Sequence, residues 1–439
     1  LTNNTEIWDI TDVFNAKKVT TTNNAFKVVI DSLNQYVAFE NTSLKPIGFG
    51  KINNQNLHGL GQKELIIITR NGLLTPAQEL ANFHALKQGL SAVTVDIDQI
   101  FNEFSSGNND VTAIRNFVKM FYDRAGSDPN LMPKYLILFG DGSYNNRKLG
   151  DYLLPSYQSP FSLELLRTYT SDDYFGLLDD NEGANIDNTS TEKIDIAIGR
   201  IPADNLEKAQ IAVAKIKSYM SADGFGDWRN TITFIADDED GILHVDAADG
   251  FAEKIKNDSK GVNIDKIYLD AFVQSAGAGG SAYPDVNDAI NKSMFKGSLI
   301  MNYVGHGGVF GWCKERVLTF DDINKWENKD KLPLFITATC EFGPYDQEGE
   351  FTAGERVYFS KNGGAIALVT TVRLVYSDRN EEINKNFLNK IFEAESEGEV
   401  VLGDVLLRAK NISLTGDGNR KFTLLGDPAL ILGFPKQKI

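Results

Sequence analysis

Two apolar stretches of the sequence each end directly before a side chain that can do covalent chemistry. Residues 299–304 lead into Gly305 and His306, and residues 334–339 lead into Cys340. The thiolate is the attacking form of cysteine, and a nearby imidazole takes up its proton or delivers a proton to a leaving amine. These residue types at these positions indicate a cysteine peptidase-type enzyme with a His306–Cys340 dyad.

The spacing of the two residues fits the geometry that such a dyad requires. The separation of 340 − 306 = 34 residues leaves room for one crossover connection between neighbouring parallel strands. Ligands collect where the parallel strands of an open sheet end, so we expect His306 and Cys340 to meet at that edge. The oxyanion of acyl transfer needs N–H donors already in place, and the amides of Gly307 and Cys340 are the natural candidates.

Simpler interpretations of the same residues stay open from spacing alone. A cysteine at a strand end is often a small buried apolar residue, and a histidine before two glycines is often a turn residue. Cys313, the other cysteine of the sequence, is expected to be a spectator, and a disulfide with Cys340 that would block the enzyme is the alternative. His84 lies in a predicted helix and is expected to be structural.

The order of predicted elements indicates an α/β fold. Strand and helix patterns alternate from residue 64 onwards, and the continuous apolar run of residues 64–69 is typical of a buried parallel strand. The same rhythm restarts after residue 225. We therefore predict a short β-rich lead-in segment at residues 1–58, a first α/β subdomain at 59–225, and a second at 226–439 that carries the dyad. Both subdomains are expected to have mostly parallel sheets.

The composition excludes several other classes of protein. The 44 Lys and Arg residues against 60 Asp and Glu residues give a net charge of −16, which argues against a nucleic-acid partner. Two cysteines exclude a disulfide scaffold, and no apolar run reaches the length of a membrane span. The glycine-rich residues 277–280 lack the pattern of a nucleotide site, and no set of Cys and His has the spacing of a zinc motif.

The wider sequence resembles the gingipain family of clan CD cysteine peptidases, a clan that also includes caspases and legumains. An apolar strand ending in His-Gly, followed by a second ending in Cys, is the arrangement of that clan. The resemblance covers residues 64–432 and rests on six motifs that are specific as a set: ILFGDGS at 137–143, TSDDYFG at 170–176, IAIGRIP at 196–202, NYVGHG at 302–307, TATCEF at 337–342 and LLGDP at 424–428. The motif at 337–342 favours the sortase-like peptidases of the type IX secretion system over the gingipains proper.

The resemblance implies a catalytic domain of caspase/gingipain-like fold and further site residues. In gingipains a Glu just after a strand of the second subdomain orients the imidazole, and Glu239 falls at that place. Asp238 is the fallback, and a solvated acidic loop is the alternative. A carboxylate on Nδ1–H would fix the tautomer and stabilise the imidazolium. Arg373 and Tyr376 are implied to line the substrate pocket, which has no carboxylate placed to select arginine. The role of His244, near the corresponding loop, is open.

The function that the resemblance implies is that of a sortase-type cysteine peptidase at the surface of a bacterial outer membrane. Cys340 would cleave the C-terminal secretion signal from type IX cargo proteins through a thioester, which an amine of an anionic lipopolysaccharide or water then resolves. Other outer-membrane components of the secretion system are expected partners. The alternatives are a gingipain-type endopeptidase without transpeptidation and a non-catalytic relative that binds secretion signals.

A turn rich in carboxylates is the candidate position for a metal ion. Asp179, Asp180 and Glu182 offer the oxygen ligands that calcium prefers, although their spacing is not that of an EF-hand loop. The similarity to calcium-binding gingipains supports a structural calcium ion, and a solvated turn is the alternative. The predicted chemistry itself requires no cofactor.

Overall fold

A computed structural model of the chain describes residues 2, 4–23, 25–28, 33–40, 47, 48, 50–147, 149–161, 163–189, 191–221, 225–258, 261–277, 280–347, 349, 351–413 and 416–435. They divide into two units, Leu1–Gln55 and Asn56–Ile439. The first unit contains a three-stranded antiparallel sheet in the order β2–β1–β3, formed by β1 Thr5–Asp9, β2 Lys17–Lys18 and β3 Tyr36–Glu40. The β-rich lead-in segment at residues 1–58 stays a prediction.

The second unit alternates strands with helices. Its earlier elements are β4 Leu65–Thr69, α1 Leu74–Gln88, β5 Ala92–Asp96, α2 Ile97–Phe104, α3 Val111–Ala125, β6 Tyr135–Phe139, β7 Asp141–Ser143, β8 Leu153–Pro155, β9 Tyr157–Gln158, β10 Thr170–Ser171, β11 Ala197–Ile201 and α4 Leu206–Tyr219. The elements that follow are β12 Thr231–Ala236, α5 Leu243–Asp258, β13 Asn263–Tyr268, β14 Ser275–Gly277, β15 Gly280–Ala282, α6 Pro284–Lys296, β16 Ile300–Val304, β17 Gly307–Gly308, β18 Gly311–Trp312, α7 Phe320–Lys325, β19 Leu334–Ala338, α8 Ala353–Phe359, β20 Ala367–Thr371, α9 Ser377–Glu397, β21 Val400–Val401, α10 Leu402–Ile412, α11 Asp417–Arg420, β22 Phe422–Leu425 and β23 Ile431–Leu432. None of the helices in the described residues is both long enough and apolar enough to span a membrane.

Ten strands of this unit form one sheet, in the order β13–β12–β16–β19–β20–β22–β11–β6–β4–β5. Neighbouring strands are parallel except β20 and β22, which pair antiparallel. The five strands on one side of that junction therefore run opposite to the five on the other. The predicted α/β fold with a mostly parallel sheet is confirmed. The division into subdomains at residues 59–225 and 226–439 stays a prediction.

The central strands are apolar because both faces of the sheet are covered. Every residue of β16 and of β19 is buried, and helices α5 and α9 pack on this part of the sheet. Burial of each large apolar side chain contributes about 1.5–3 kcal/mol relative to exposure. A slip of one residue would exchange the two faces of a strand, so the tight packing of both faces fixes the register. The strand ends that carry the candidate residues are thereby held in place.

Residues of three of the motifs that carry the family resemblance form buried ion pairs inside the fold. Arg200 donates from Nε and Nη2 to the two carboxylate oxygens of Asp172, at 2.8 and 2.7 Å. Asp173 accepts two hydrogen bonds of 2.6 Å from the ammonium group of Lys410. His84 lies 2.6 Å from Asp427 through Nε2, and both side chains are fully buried. These pairs hold distant segments together, and His84 has the structural environment expected for it.

Candidate active site

The two dyad candidates follow adjacent strands at the same level of the sheet. β16 and β19 pair in parallel with Val304 opposite Ala338. His306 and Cys340 each lie two residues beyond these partners, so their backbones leave the sheet at the same edge. Strand β12 lies beside β16, and β20 lies beside β19. The loops after these four parallel strands therefore surround the pair.

A close approach joins the two strand ends beyond the paired residues. A Cβ atom placed on Gly307 would lie closer than 3.0 Å to Thr339 Oγ1 and 3.2 Å from Thr339 Cγ2. Glycine is thus required where the chain after His306 passes the residue before Cys340. The carbonyl of Thr339 is itself held, because it accepts a hydrogen bond of 2.5 Å from the hydroxyl of Thr371. The glycine after the histidine has a packing role that brings the two candidate residues together.

The imidazole of His306 faces the acidic loop that follows β12. Its Nε2 lies 3.1 Å from Asp240 Oδ2 and 3.6 Å from Glu239 Oε2. The backbone N–H of His306 donates to Asp237 Oδ2 at 2.9 Å, and the lack of a side chain at Gly305 permits this approach. Burial raises the pKa of Asp237 to about 6, although its hydrogen bond with His306 acts in the opposite direction. The carboxylates contact Nε2 of the ring, whereas the sequence led us to expect contact at Nδ1.

The two acids predicted to orient the imidazole have further partners. Glu239 accepts two hydrogen bonds from the ammonium group of Lys314, at 2.8 and 3.1 Å. Asp238 accepts a hydrogen bond of 2.5 Å from the hydroxyl of Tyr283. The assignment of Glu239, with Asp238 as fallback, stays a prediction. Asp240, which the sequence analysis did not single out, lies closer to the ring nitrogen than Glu239 does.

The thiol of Cys340 is partly buried and has a local partner. It donates to the carbonyl oxygen of Val375 at 3.5 Å, and no hydrogen bond joins it to His306 among the described residues. Burial raises the pKa of the thiol. The Cys340 side chain is thus directed at a backbone carbonyl in this structure and not at the imidazole of His306. Cys313 and Cys340 are both free, which excludes the disulfide alternative.

The N–H groups predicted to form an oxyanion hole are both available. In the hairpin of β17 and β18, the N–H of Cys313 donates to His306 O at 2.9 Å. Hydrogen-bonded and non-hydrogen-bonded pairs alternate along an antiparallel ladder. The next pair, Gly307 opposite Trp312, is therefore not hydrogen-bonded, and the Gly307 N–H donates to no group of β18. The N–H of Cys340 donates to no acceptor in the part of the chain that the structure describes. Their role as oxyanion donors stays a prediction.

The loop after β20 carries the predicted substrate-binding residues. Val375 lies against the nucleophile candidate through its carbonyl, and the next residue, Tyr376, is 58% exposed. Arg373 forms a two-point ion pair with the buried carboxylate of Asp346, at 2.9 and 2.6 Å. The sequence did not point to Asp346, whose buried charge Arg373 neutralises. The roles of Arg373 and Tyr376 in substrate binding stay predictions.

Backbone strain marks the same edge of the sheet. Six non-glycine residues of the described chain have positive φ, and four of them lie in the loops around the candidate dyad: Asp240, Cys313, Arg316 and Glu341. Each such conformation costs about 1–3 kcal/mol, and such costs concentrate at functional sites. This strain was not predictable from the sequence, because none of the four positions is a glycine.

The carboxylate-rich turn proposed for calcium is engaged by protein groups. Asp179 accepts a hydrogen bond of 2.9 Å from the hydroxyl of Tyr122, and Asp180 forms an ion pair of 2.9 Å with Lys119. Glu182 accepts two backbone N–H groups, at 3.2 and 2.8 Å. A structural calcium ion at this turn stays a prediction.

The mostly parallel sheet, with reactive side chains gathered at the carboxyl ends of its strands, has the fold of a gingipain-type cysteine peptidase. The family model described as Peptidase family C25 matches residues 58–433. The chain therefore belongs to peptidase family C25. No curated protein sequence matches the chain.

Two solved structures illustrate this similarity of fold. The Arg-specific cysteine proteinase gingipain R (RgpB) is 16% identical, with a TM-score of 0.64 over 87% of this chain and 81% of its own. The dimeric latent PorU from Porphyromonas gingivalis is 24% identical, with a TM-score of 0.56 over 99% of this chain and 37% of its own. This chain thus spans a little over a third of the length of that PorU chain.

Proposed function

We propose that this chain is a sortase-type cysteine peptidase in which Cys340 is the nucleophile and His306 is the general acid and base. The observation that carries the proposal is the alignment of the two residues, each two positions beyond a paired residue of adjacent parallel strands. Membership of a cysteine-peptidase family supports the same assignment. The proposed chemistry uses side chains and backbone amides of this chain and requires no cofactor.

In the proposed reaction, the Cys340 thiol loses its proton to the imidazole of His306. Its sulfur attacks the carbonyl carbon of the scissile peptide, and the oxyanion accepts hydrogen bonds from the N–H groups of Gly307 and Cys340. The C–N bond then breaks, and His306 returns the proton to the leaving amine. The resulting thioester is attacked by an amine, which forms a new amide, or by water, which forms a carboxylate. Either attack regenerates the Cys340 thiol.

Asp240 supports this assignment because its carboxylate contacts Nε2 of the His306 ring at 3.1 Å. When Nε2–H donates to that carboxylate, Nδ1 is the nitrogen that exchanges the proton with sulfur. The carboxylate also stabilises the imidazolium that forms after proton transfer. Glu239, at 3.6 Å and paired with Lys314, is the second candidate for this role.

The proposed substrates are type IX cargo proteins, cleaved at the junction with their C-terminal secretion signal at the surface of a bacterial outer membrane. An amine of an anionic lipopolysaccharide is the proposed acceptor, and other outer-membrane components of the secretion system are the proposed partners. Support comes from the TATCEF motif at residues 337–342 and from the similarity to PorU over 99% of this chain. Tyr376, which is exposed and follows the residue whose carbonyl contacts the thiol, is proposed to contact the substrate.

A gingipain-type endopeptidase is the second candidate function, and the higher TM-score with gingipain R favours it. Both candidates share one acyl-enzyme and differ in the group that resolves it. Intact-mass measurement of cargo proteins from native cells separates them. Cargo whose new carboxyl end carries an added amine supports the sortase. Cargo that carries only the elements of water contradicts transpeptidation and leaves the endopeptidase.

Enzymatic activity itself is tested by Cys340→Ala, with Cys313→Ala as the matched control. Loss of the catalytic thiol is expected to abolish removal of the secretion signal, whereas the control keeps it. Both thiols are free, so neither substitution breaks a disulfide. Normal cargo processing by Cys340→Ala would leave only a non-catalytic, signal-binding role.

A further inference from the structure

A set of metal-ligating side chains surrounds the ring of His306. Asp237, His244 and His306 each bring one ligand atom within 4.8 Å of the other two. Asp240 Oδ2 lies 3.1 Å from Nε2 of His306 and 3.5 Å from Nε2 of His244. The two imidazole rings are perpendicular, with centroids 5.3 Å apart. Two imidazoles and two carboxylates therefore converge on one small volume.

A buried nitrogen of His244 points to a missing ligand in this volume. His244 lies in α5 and is only 6% exposed. Its Nε2 is buried and forms no hydrogen bond among the described residues, although Asp240 Oδ2 lies 3.5 Å away, at ion-pair distance. A buried polar atom without a hydrogen bond costs about 1–3 kcal/mol, and an ion is one of the recognised reasons why a protein keeps one. The catalytic mechanism gives His244 no task that explains it.

We propose that Asp237, His244 and His306 bind Zn²⁺, with Asp240 as the fourth ligand. Zinc takes imidazole nitrogen and carboxylate oxygen at about 2.0–2.2 Å in a tetrahedron, which requires ligand separations of roughly 3.4 Å. The present separations are within 4.8 Å, so the ligand atoms must move closer together when the ion binds. Calcium and magnesium prefer sets of oxygen ligands and are not favoured by two imidazoles.

A second set of ligands competes for the same carboxylate. Asp237, Cys313 and Glu315 also lie within 4.8 Å of one another, and Glu315 Oε2 is buried without a hydrogen-bond partner in the described chain. The histidine set is favoured because neutral imidazole is ready to bind, whereas a thiol must first lose its proton. Asp237 belongs to both sets, so one ion bound to it occupies either the histidine set or the set with Cys313. Substitution of His244 or of Cys313 therefore distinguishes the two sites.

The consequence of zinc binding rests on the proposed function, because the ion occupies the catalytic imidazole. When zinc replaces the proton on Nε2 of His306, the neutral ring carries its hydrogen on Nδ1, so Nδ1 cannot accept the proton of Cys340. Zinc is therefore a reversible inhibitor, and a chelator restores activity. The fold brings the three ligands together from positions 237, 244 and 306, which explains why the sequence has no zinc motif.

Metal binding is tested without catalysis, by calorimetric titration of the purified Cys340→Ala chain with Zn²⁺. One equivalent is expected to bind. Since outer-shell partners of metal ligands already contribute about 10- to 100-fold to affinity, His244→Gln is expected to weaken binding at least about 100-fold. His306→Gln should do the same, and because this side chain is 44% exposed the substitution removes little buried packing. Cys313→Ser and His58→Gln, the matched controls, should keep the affinity. Absence of stoichiometric binding, or its loss in Cys313→Ser instead of His244→Gln, overturns the site.

Inhibition is tested on the active chain with cargo cleavage as the readout, in a chelator and after addition of Zn²⁺. The expected result is loss of cleavage at one bound equivalent, with the required zinc concentration raised at least about 100-fold in His244→Gln. Zinc binding without inhibition overturns the regulatory role. A chain that binds zinc but never cleaves cargo in chelator refutes the proposed function and supports the metal site.

Discussion

The contact between the two strand ends predicts a measurable effect of adding one methyl group at Gly307. In Gly307→Ala the new Cβ lies closer than 3.0 Å to Thr339 Oγ1 and 3.2 Å from Thr339 Cγ2. Thr339 is fully buried and β-branched, so it cannot turn towards solvent to relieve the clash. Overpacking of this kind costs about 1–3 kcal/mol. We expect the free energy of unfolding to fall by that amount in urea denaturation.

A double-mutant cycle tests whether Thr339 is the cause. Thr339→Ala removes both clashing atoms, and Thr339 Oγ1 has no hydrogen-bond partner in the described chain, so its loss leaves mainly a small cavity. That cavity should cost about 1 kcal/mol by itself. In the double variant the methyl group added at position 307 fills this space, and the cost of Gly307→Ala should fall by at least about 1 kcal/mol. Independent sites add to within about 0.5 kcal/mol. If the costs of Gly307→Ala and Thr339→Ala add to within that margin, the contact that aligns His306 with Cys340 is refuted.

Three further predictions follow from the charges and burial of named groups. Because burial raises the pKa of Cys340, its alkylation by iodoacetamide should still accelerate above about pH 8.5, the ordinary thiol pKa, and a plateau below that pH in peptide mapping would contradict this. Burial acts to lower the pKa of His84, but the charge and hydrogen bond of Asp427 help to raise it overall. The pair therefore stabilises the fold fully below about pH 6.5 and loses this contribution as pH rises through the folded pKa, so Asp427→Asn should be most destabilising near pH 6 in urea unfolding. Asp240→Asn should lower kcat/KM about 100-fold, and more than Glu239→Gln does, in a chelator-containing cleavage assay; the reverse order would assign the orienting role to Glu239.

The strands that carry the site were predictable because a continuous apolar run indicates a buried strand whatever the surrounding sequence is. The apolar runs ending before His306 and Cys340 predict parallel strands, and both are strands that are buried along their length. Their adjacency follows from the α/β pattern and the 34-residue spacing. The position of β22 between β20 and β11, where it runs antiparallel to β20, was not predicted. A four-residue strand in a mostly parallel sheet has no signature of direction in its own sequence.

The details of the site escaped prediction where they depend on backbone conformation or on distant partners. Asp240 contacts the imidazole from a loop in which its own φ is +60°. No rule assigns a left-handed conformation to a particular aspartate in a run of acids. The pairing of Arg373 with Asp346 joins two loops that only the completed sheet brings together. The sequence therefore predicts which loops form the site better than which acid serves in it.

Three of the motifs that carry the family resemblance stabilise the interior and take no part in the proposed reaction. Arg200 with Asp172, and His84 with Asp427, are buried pairs whose disruption costs about 3–5 kcal/mol. Such pairs serve a hydrolase, a transpeptidase and a non-catalytic relative equally well, because they stabilise the fold that all three share. In the proposed reaction, the choice between water and an amine is made at the thioester of Cys340 and not at these buried pairs. The chemistry of the released carboxyl end, and not a closer match of motifs, is therefore the observation that distinguishes the functions.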